Sequence, residues 1–575
     1  MPMAQSTRQR RQQPSHSEAT SPMPGEHYSK DDKLKKNPDQ AINDRTWWII
    51  SVMALGLVRY MSATTNILHD CDEVFNYWEP LHFLLYNSGF QTWEYSPQFA
   101  LRSYLYIDFH KLLALPASWF FQFREDEKVM VFYAVRLFLG AISVVADAAL
   151  VVAVSRKCSH RIALYALPML CLTSGCFFAS TSLLPSSFSM YAMSFATAFF
   201  LLQRYAAAVA ISAVGVILGW PFSVLAFLPI TFYSLYKAPK QAFLAGAVTS
   251  VCLLGLSICV DYHYYGRWTS SVLNLISYNV YGGGESHLYG VEGPLFYLRN
   301  GFNNFNICFV LAFVFLGIAF FVRRQYSPQL FVAVSPIYIW IAFMSLQPHK
   351  EERFLYPIYP ILCVAASAAI ESFPDLFANK FDPTQTSIFV TVAKGLRPMF
   401  LACILCVSHS RTFALVNGYG APIEVYKILK HYEDVGPGAT LCVGSEWHRF
   451  PSSFFVPTFV NEVKWIDDGF RGLLPLPFNS TNSSPSYFND KNKAAEGQFL
   501  HDIGLCTFFV ELQLQRPYPF RGSDMSTWET VAAVPFLDRD MSPLPHRSFF
   551  VPYLWEHKNV FGQYKLLKRI PDVSS

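Results

Sequence analysis

The segment from His69 to Pro80 holds the side chains of this sequence that are best suited to chemistry. It reads His69-Asp70-Cys71-Asp72-Glu73-Val74-Phe75-Asn76-Tyr77-Trp78-Glu79-Pro80, with four acidic residues set among aromatic ones. A carboxylate there can act as a general base, because partial burial raises its pKa towards a useful value. Asp72 and Glu73 are the candidate bases. A solvated acidic loop whose rings rest on lipid headgroups would give the same pattern.

The same segment predicts how these side chains are presented. If residues 72–79 are helical, Asp72, Asn76 and Glu79 share one helix face. Pro80 disfavours helical backbone at the residue before it, so we expect the helix to end close to Glu79.

A second charged segment is Gln347-Pro348-His349-Lys350-Glu351-Glu352-Arg353. Lys350 as a point charge and Arg353 as a planar fork would suit a phosphate group, with Glu351 and Glu352 orienting the cations. A connecting loop that carries charge only for solubility is the alternative. His, Cys and acidic residues here lack the spacing of metal ligands, and no Walker-type glycine loop is present in the sequence.

Aromatic and charged residues alternate farther along the first segment. Phe90-Gln91-Thr92-Trp93-Glu94-Tyr95-Ser96-Pro97 is followed by Arg102-Ser103-Tyr104-Leu105-Tyr106. This composition predicts short helices that lie in the membrane interface. Such a platform would suit a substrate with a polar head in water and a tail in lipid.

The elements that must position these residues are membrane helices. The 575 residues are 52% hydrophobic, 17% aromatic and 15% charged, which is too apolar for a soluble protein of this length. Apolar runs of membrane-spanning length predict about eleven helices. They lie near 47–66, 129–154, 162–179, 186–203, 205–220, 222–236, 241–260, 305–322, 329–346, 354–371 and 398–416.

The positions of Lys and Arg in short loops predict the orientation of these helices. We place residues 1–45 in the cytoplasm as a disordered tail, and residues 46–416 form the membrane region. Every alternate loop then carries basic residues on the cytoplasmic side. The opposite side receives the first lumenal loop 67–128, the segments 261–304 and 347–353, and a C-terminal region 417–575.

The C-terminal region is predicted to fold as a separate lumenal α/β domain. Ala439–Val443 and Leu505–Val510 resemble strands, and Ile423–His431 resembles a helix. An oxidising compartment permits a disulfide between Cys442 and Cys506, with Cys71 as a competing partner and two free thiols as the alternative. The sequons at Asn479 and Asn482 are candidate glycosylation sites.

Two ionisable residues of the second predicted span, Arg136 and Asp147, fall on one helix face. Ionisable groups at membrane depth often serve function. Polar helix packing, or an Arg136 side chain that reaches the interface, would explain them equally well.

The strings Asp72–His82, Gly89–Pro97 and His349–Pro357 resemble the dolichol-phosphomannose-dependent mannosyltransferases of the GT-C superfamily, glycosyltransferase family 22. Gly219–Phe222, Asn303–Asn306 and Glu446–Phe455 also match, so the resemblance covers roughly residues 45–570. Within the family it is greatest to the α-1,2-mannosyltransferases of asparagine-linked glycan synthesis, which add the seventh and ninth mannoses. The string Val291–Leu295 departs from the family, where a Glu-Pro-Trp-like string is expected.

The resemblance implies a polytopic α-helical enzyme of the endoplasmic reticulum membrane with its site on the lumenal face. It implies transfer of mannose, with inversion, from dolichyl phosphate mannose to a dolichyl-diphosphate-linked oligosaccharide, with Asp72 or Glu73 as the essential acid. We expect no metal, because the leaving group is a single phosphate. Substrate contacts are expected from Asn76, Trp78, Glu79, Trp93, Glu94, Arg102, His349, Lys350, Glu351 and Arg353.

Other functions stay open on the sequence alone. A sister enzyme that forms α-1,6 linkages or builds glycolipid anchors would share the same strings. A transporter could also carry Arg136 and Asp147, but it should concentrate polar groups near the middle of the membrane. In this chain the richest polar cluster lies in the first loop.

Overall fold

The computed structural model describes residues 38–281, 288, 290–322, 326–378, 388–478, 488–518 and 526–571. The chain divides into Met1–Asn43 and a large compact unit, Asp44–Ser575. Most of the predicted N-terminal tail lies outside the described residues, as do Asn479 and Asn482.

The described part of the chain is mainly helical. Its α-helices are α1 (Pro38–Thr65), α2 (Cys71–Glu73), α3 (Glu79–Tyr86), α4 (Tyr104–Phe121), α5 (Glu127–Lys157), α6 (His160–Leu172), α7 (Ser174–Ala179), α8 (Pro185–Leu201), α9 (Tyr205–Val214), α10 (Val224–Lys237), α11 (Pro239–Tyr265), α12 (Ser271–Val280), α13 (Phe296–Phe305), α14 (Ile307–Val322), α15 (Pro328–Val334), α16 (Pro336–Leu346), α17 (Tyr359–Ser372), α18 (Ile388–Tyr419), α19 (Ala421–Ile428), α20 (Leu544–Ser548) and α21 (Leu554–Lys558).

Six helical segments among the described residues are long and apolar enough to cross a membrane. They are Asn43–Thr65, Glu127–Lys157, Pro239–Tyr265, Pro328–Leu346, Glu352–Phe377 and Ile388–Tyr419. The pair α13 and α14, bent by 113°, makes a seventh if it counts as one span. These helices make the chain a polytopic membrane protein.

The count of about eleven spans is not confirmed, because four predicted runs fall on shorter or broken helices. α6 and α7 are separated at Thr173, α8 has 17 residues, α9 has 10 and α10 has 14. Hydropathy counts apolar residues but does not detect breaks in a helix. Breaks at membrane depth are tolerated where the protein surrounds the helix and satisfies its backbone, and α8 is almost entirely buried.

Arg136 and Asp147, in the interior of α5, both serve helix packing. Asp147 Oδ2 lies 3.1 Å from Nη2 of Arg59 on α1, and its Oδ1 accepts a hydrogen bond from Ser194 on α8 at 2.8 Å. Arg136 donates to the carbonyl of Asn66 at 2.7 Å, just beyond the end of α1. The structure therefore favours the packing interpretation of these residues.

The first loop, residues 66–126, begins with a helical segment that continues beyond Pro80. α2 continues through a π-helical turn, Val74–Trp78, into α3, which ends at Tyr86. The expectation that the helix ends near Glu79 is wrong. Pro80 occupies the first turn of α3, where the absence of its N–H leaves no broken hydrogen bond.

The chain after α18, residues 420–571, forms a C-terminal module built on a mixed sheet. The strands of the chain are β1 (Phe90–Gln91), β2 (Ala439–Val443), β3 (Val460–Ile466), β4 (Leu476–Pro477), β5 (Phe499–Leu500), β6 (Phe508–Gln513), β7 (Trp528–Leu537) and β8 (Phe561–Arg569). The six-stranded sheet has the order β5-β3-β2-β6-β8-β7. β5, β3, β2 and β6 are parallel, and β8 runs antiparallel to both of its neighbours.

A disulfide joins Cys442 on β2 to Cys506, just before β6, which is the pairing expected from the sequence. Cys71, the competing partner, is a free thiol. The bridge lies in a small apolar cluster with Ile466, Phe509 and Leu567.

The C-terminal module is joined to the first loop and belongs to the same compact unit as the membrane helices. β1 of the loop pairs antiparallel with β4 of the module. The buried carboxylate of Glu79 accepts hydrogen bonds from Ser452 Oγ at 2.7 Å, from Ser453 N at 2.6 Å and from Ser453 Oγ at 2.8 Å. These contacts tie the C-terminal module to the first loop.

Candidate active site

Arg353 gathers three carboxylates where the two charged segments of the sequence meet. Its Nη1 lies 3.2 Å from Oδ2 of Asp70, and its Nη2 donates to Asp72 and forms an ion pair with Glu351. Asp70 caps α2 by accepting the amide of Asp72 at 2.9 Å. The fold therefore brings together Asp72 and Arg353, which lie 281 residues apart in the chain.

The adjacent acids Asp72 and Glu73 have opposite surroundings. The side chain of Asp72 is 37% exposed beside Arg353. Glu73 is buried, and its Oε1 accepts hydrogen bonds from Trp78 Nε1 at 3.1 Å and from Leu183 N at 2.9 Å. Of the two candidate bases, Asp72 is the one that a substrate hydroxyl can reach.

Burial and charge set the pKa values of these acids in different directions. Burial raises the pKa of Asp70 to about 7, against the attraction of Arg353. Burial also acts to raise the pKa of Asp72, but the charges of Arg353 and Arg102 and the hydrogen bond from Arg353 outweigh it and lower the pKa. Burial raises the pKa of Glu73. Asp72 is therefore ionised at neutral pH, as a base must be.

The segment from His349 to Arg353 is fixed against the chain that precedes α13. His349 Nε2 lies 2.9 Å from Glu351 Oε1, and this hydrogen bond raises the pKa of His349. The buried ammonium of Lys350 donates to the carbonyls of Glu292, at 2.7 Å, and of Gln347. Lys350 therefore secures the loop and does not extend into the site as a point charge.

These contacts give a role to the string Val291–Leu295, which departs from the family pattern. Lys350 binds the carbonyl of Glu292, the amide of Glu292 donates to the carbonyl of Pro348 at 3.2 Å, and His349 lies 3.0 Å from the carbonyl of Gly290. Because Gly290, Glu292 and Pro348 take part in these contacts through backbone groups, the contacts do not depend on the side chains of this string.

Part of the predicted platform borders a cleft beside the carboxylate cluster. Arg102 binds both oxygens of Glu94, at 2.8 and 3.1 Å, and donates to Tyr77 Oη at 2.8 Å. Its buried Nε has no hydrogen-bond partner among the described residues. Trp93 packs against Phe99. Trp93 and Glu94 do not line the cleft, whereas Tyr77, Tyr95, Ser103, Tyr106 and Ser257 do, together with Arg102. The apolar part of the lining comes from several elements: Leu101, Leu105, Pro185, Ile217, Leu218, Trp220, Pro221, Val272 and Leu275.

Three predicted substrate contacts lie within the protein instead. Trp78 has no exposed surface and packs against Phe132. Asn76 is buried and accepts a hydrogen bond from Thr92 at 2.7 Å. Glu79 joins the loop to the C-terminal module, as described above. The spacing of Asp72, Asn76 and Glu79 predicts one helix face, but the π-helical turn between Asp72 and Glu79 changes the register and gives each side chain a separate environment.

Sequence reasoning did not select Asp70 or Tyr77 for the site, and it gave Glu352 only the role of orienting the neighbouring cations. Asp70 has the signal of a helix N-cap, an acid just before a helical segment. Glu352 accepts hydrogen bonds from the amides of Asn300, at 3.0 Å, and Asn304, at 2.8 Å. No local sequence pattern marks Tyr77, because Arg102, its hydrogen-bond partner, comes into contact with it only in the folded chain.

The ligand atoms of Asp70, Cys71 and Asp72 lie close enough together to hold a metal ion, and they form the one such group found among the described residues. Arg353 already pairs with both carboxylates. Burial and the neighbouring carboxylates raise the pKa of the Cys71 thiol well above its ordinary value, which disfavours the thiolate that a metal requires. The guanidinium of Arg353 therefore lies where a metal ion would otherwise compensate the negative charge of Asp70 and Asp72.

Comparison with known proteins places most of this chain in one family. Residues 47–457 match the model of the Alg9-like mannosyltransferase family. The chain is 64% identical to "Alpha-1,2-mannosyltransferase ALG9" of Arabidopsis thaliana over 98% of this chain and 99% of that one. It is 35% identical to the protein of that name from Homo sapiens over 89% and 87%.

Among solved structures, ArnT from Cupriavidus metallidurans bound to undecaprenyl phosphate overlaps 74% of this chain and 86% of its own, at 13% identity and a TM-score of 0.48. The match to the family model and the relative matched over nearly its full length show that this chain belongs to the Alg9-like mannosyltransferase family.

Proposed function

We propose that this chain is an α-1,2-mannosyltransferase that works on the lumenal face of the endoplasmic reticulum membrane. It transfers mannose from dolichyl phosphate mannose to the lipid-linked oligosaccharide precursor of asparagine-linked glycans. The observation that carries the proposal is the accessible carboxylate of Asp72, held by Arg353 beside an apolar cleft. Family membership supports the reaction class.

In the proposed reaction the 2-hydroxyl of the acceptor mannose attacks the anomeric carbon of the donor. The new C–O bond forms on the face opposite the departing phosphate, so a β-linked donor gives an α-linked product. Asp72 takes the hydroxyl proton, and the electron pair of the broken C–O bond leaves with dolichyl phosphate. Support for Asp72 comes from its ionised state and its exposure, which Glu73 lacks.

The cleft is proposed as the donor site. Its apolar lining suits an isoprenoid chain, and Arg102 supplies a cation for the phosphate at the point where the lining becomes polar. The unpartnered Nε of Arg102 is a donor without a protein acceptor, which supports an anionic ligand there. Arg102 also acts electrostatically on Asp72, so the phosphate and the base lie within range of each other.

Arg353 is proposed to change partners when the donor binds. In the structure it neutralises Asp72 and so weakens this carboxylate as a base. A phosphate that draws the guanidinium away would raise the pKa of Asp72 and stabilise the leaving group with the same charge. The base would thus become strong only when a donor is present. This scheme requires no metal ion.

The direct test uses purified protein with labelled dolichyl phosphate mannose and defined lipid-linked acceptors. We expect transfer only to acceptors whose next mannose is α-1,2-linked, with a product that an α-1,2-specific mannosidase removes. Acceptors for α-1,6 transfer and glycolipid-anchor precursors are the controls. Transfer to either control but not to the α-1,2 acceptor would contradict the proposal and assign the chain to a sister activity.

A further inference from the structure

One edge of the C-terminal module exposes large apolar side chains that the mannosyltransferase reaction does not use. Residues 541–558, the rim segment, comprise α20, α21 and the turns around them. Met541, Leu544, Val551, Tyr553 and Leu554 are all exposed, Tyr553 by 83%. An exposed apolar patch of this kind usually marks a surface that meets another apolar phase or a partner.

The rim segment is fixed to the side of α18, a helix with the composition of a membrane span. Ser410 and Phe550 exchange hydrogen bonds, Ser410 Oγ to Phe550 O at 2.8 Å and Phe550 N to Ser410 O at 3.1 Å. Arg411 Nη1 donates to Ser548 O at 3.2 Å. Trp555 packs with Ala414 and Leu537 in a buried cluster.

These contacts fix the depth of the rim segment along the helix. Ser410 lies nine residues before the end of α18 at Tyr419, or about 13 Å along the axis at 1.5 Å per residue. A helix of 32 residues is about 48 Å long and exceeds a hydrocarbon core of about 30 Å. The polar run Ser408-His409-Ser410-Arg411-Thr412 marks where the helix enters the headgroup region. The rim segment lies at this level.

The lipid-facing surface of α18 continues directly into the rim segment. Within an apolar stretch of 18 residues in α18, only 17% of the residues are buried. Its exposed Phe413 packs against Phe550, with ring centroids 5.9 Å apart. At the other border Arg539, His557 and Lys558 are exposed, with Asp540 and Glu556 beside them. Apolar side chains flanked by basic ones are typical of segments that lie in a phospholipid interface.

We propose that the rim segment is a membrane-interface anchor. Met541, Leu544, Val551, Tyr553 and Leu554 enter the leaflet that surrounds the C-terminal end of α18, and Lys558 and Arg539 lie at the level of the lipid phosphates. The module is then held at two places, by the bilayer at the rim segment and by Glu79 at the first loop. Its height above the membrane is fixed, so an acceptor attached to a lipid meets it at a constant distance.

The test places a fluorophore at defined positions of the full chain in nanodiscs. The background replaces the exposed cysteines Cys252, Cys259, Cys403 and Cys406 with alanine. Leu544→Cys and Leu554→Cys carry an NBD label, and Glu496→Cys, exposed elsewhere on the module, is the matched control. The same background without an introduced cysteine is treated with the NBD reagent, and its fluorescence measures labelling of the remaining cysteines. Each labelled protein is first shown to retain mannosyl transfer.

Phosphatidylcholine with brominated acyl chains should quench both rim labels several-fold relative to the unbrominated lipid and leave the Glu496 label unchanged. Equal quenching at all three positions, or none at the rim, would overturn the proposal. Hydroxyl-radical footprinting of unmodified protein gives a measurement that needs no variant. Met541 in the nanodisc should then oxidise more slowly than the exposed Leu505, although methionine is intrinsically more reactive. Faster oxidation of Met541 would also overturn the proposal.

Discussion

Arg353 serves three carboxylates at once, so an anion that enters the site competes with them for one guanidinium. Asp70 and Glu351 hold Arg353 in place, while Asp72 is the partner with the most exposed side chain. The exchange of Asp72 for a phosphate therefore requires the least rearrangement. At the scale of single residues, the proposed mechanism rests on this exchange.

Asp72→Asn should lower kcat by about 100-fold or more, the usual contribution of a general base. The change is nearly isosteric and removes only the proton acceptor. Glu73→Gln is the matched control, because Glu73 is buried and a glutamine oxygen can still accept from Trp78 and Leu183. Steady-state transfer by the two purified variants decides between them. Near-normal turnover by Asp72→Asn, or loss of turnover in a folded Glu73→Gln, would reverse the assignment.

Asp70 should give the donor KM a pH dependence. Its pKa is about 7, so Asp70 is largely neutral below pH 7 and gains a negative charge as the pH rises through this value. The added charge repels the donor phosphate, and the donor KM should rise with pH across this range. Asp70→Asn stays neutral and should flatten the profile. A profile that is unchanged in Asp70→Asn would remove Asp70 from donor binding.

Chelation tests whether the carboxylate cluster needs a metal. Because Arg353 already neutralises Asp70 and Asp72, we expect transfer to be unchanged after dialysis against a chelator. Added divalent ions should not stimulate it. Activity that disappears with the chelator and returns with a divalent ion would contradict this prediction and point to Asp70, Cys71 and Asp72 as ligands.

At the scale of elements, the first loop and the C-terminal module are joined through one buried carboxylate. Glu79 accepts four hydrogen bonds, three from Ser452 and Ser453 and one from the amide of Phe90 at 2.9 Å. The neighbouring Gly89 permits this approach, since its φ is +146° and a Cβ there would lie 2.9 Å from the carbonyl oxygen of Glu79. The loop that presents Asp72 is therefore anchored to the module.

Glu79→Ala should destabilise the protein much more than Ser452→Ala. The first change leaves four buried donors unsatisfied at roughly 1–3 kcal/mol each, whereas the second removes two hydrogen bonds worth about 1 kcal/mol each, one to Glu79 and one from the amide of Phe454. Thermal unfolding in detergent measures the difference. Glu79→Ala should also lower kcat, because α2 loses its support. Equal melting temperatures for the two variants would show that this junction contributes little.

At the scale of the whole molecule, the proposed orientation puts the first loop and the C-terminal module on the lumenal side. A tag after Ser575 should survive protease added to sealed microsomes and be digested once detergent opens them. Glycosylation at Asn479 or Asn482, seen as a mobility shift after endoglycosidase, would agree with this orientation. Digestion of the tag in intact microsomes would place the module in the cytoplasm and contradict the proposed site.

The sequence by itself determined the class of the protein and the segments that build its site. Apolar composition required a membrane protein, and β-forming runs located β2 and the first half of β6. The acidic string and the segment around Arg353 were recognisable because charge and aromatic content are local properties. A family resemblance read from those strings predicted the reaction class, and the family match agrees with it.

Only the tertiary structure decided what each of these side chains does. Asp72 differs from Glu73 through Arg353 and Leu183, which are distant in sequence. Lys350 and Glu79 resembled ligand-binding charges, but they hold loops together through groups that the fold brings to them. The continuity of the spanning helices likewise depends on neighbours that satisfy a broken backbone. The physical reason is that composition and periodicity describe a residue's own segment, whereas burial, pairing and pKa are set by the elements packed against it.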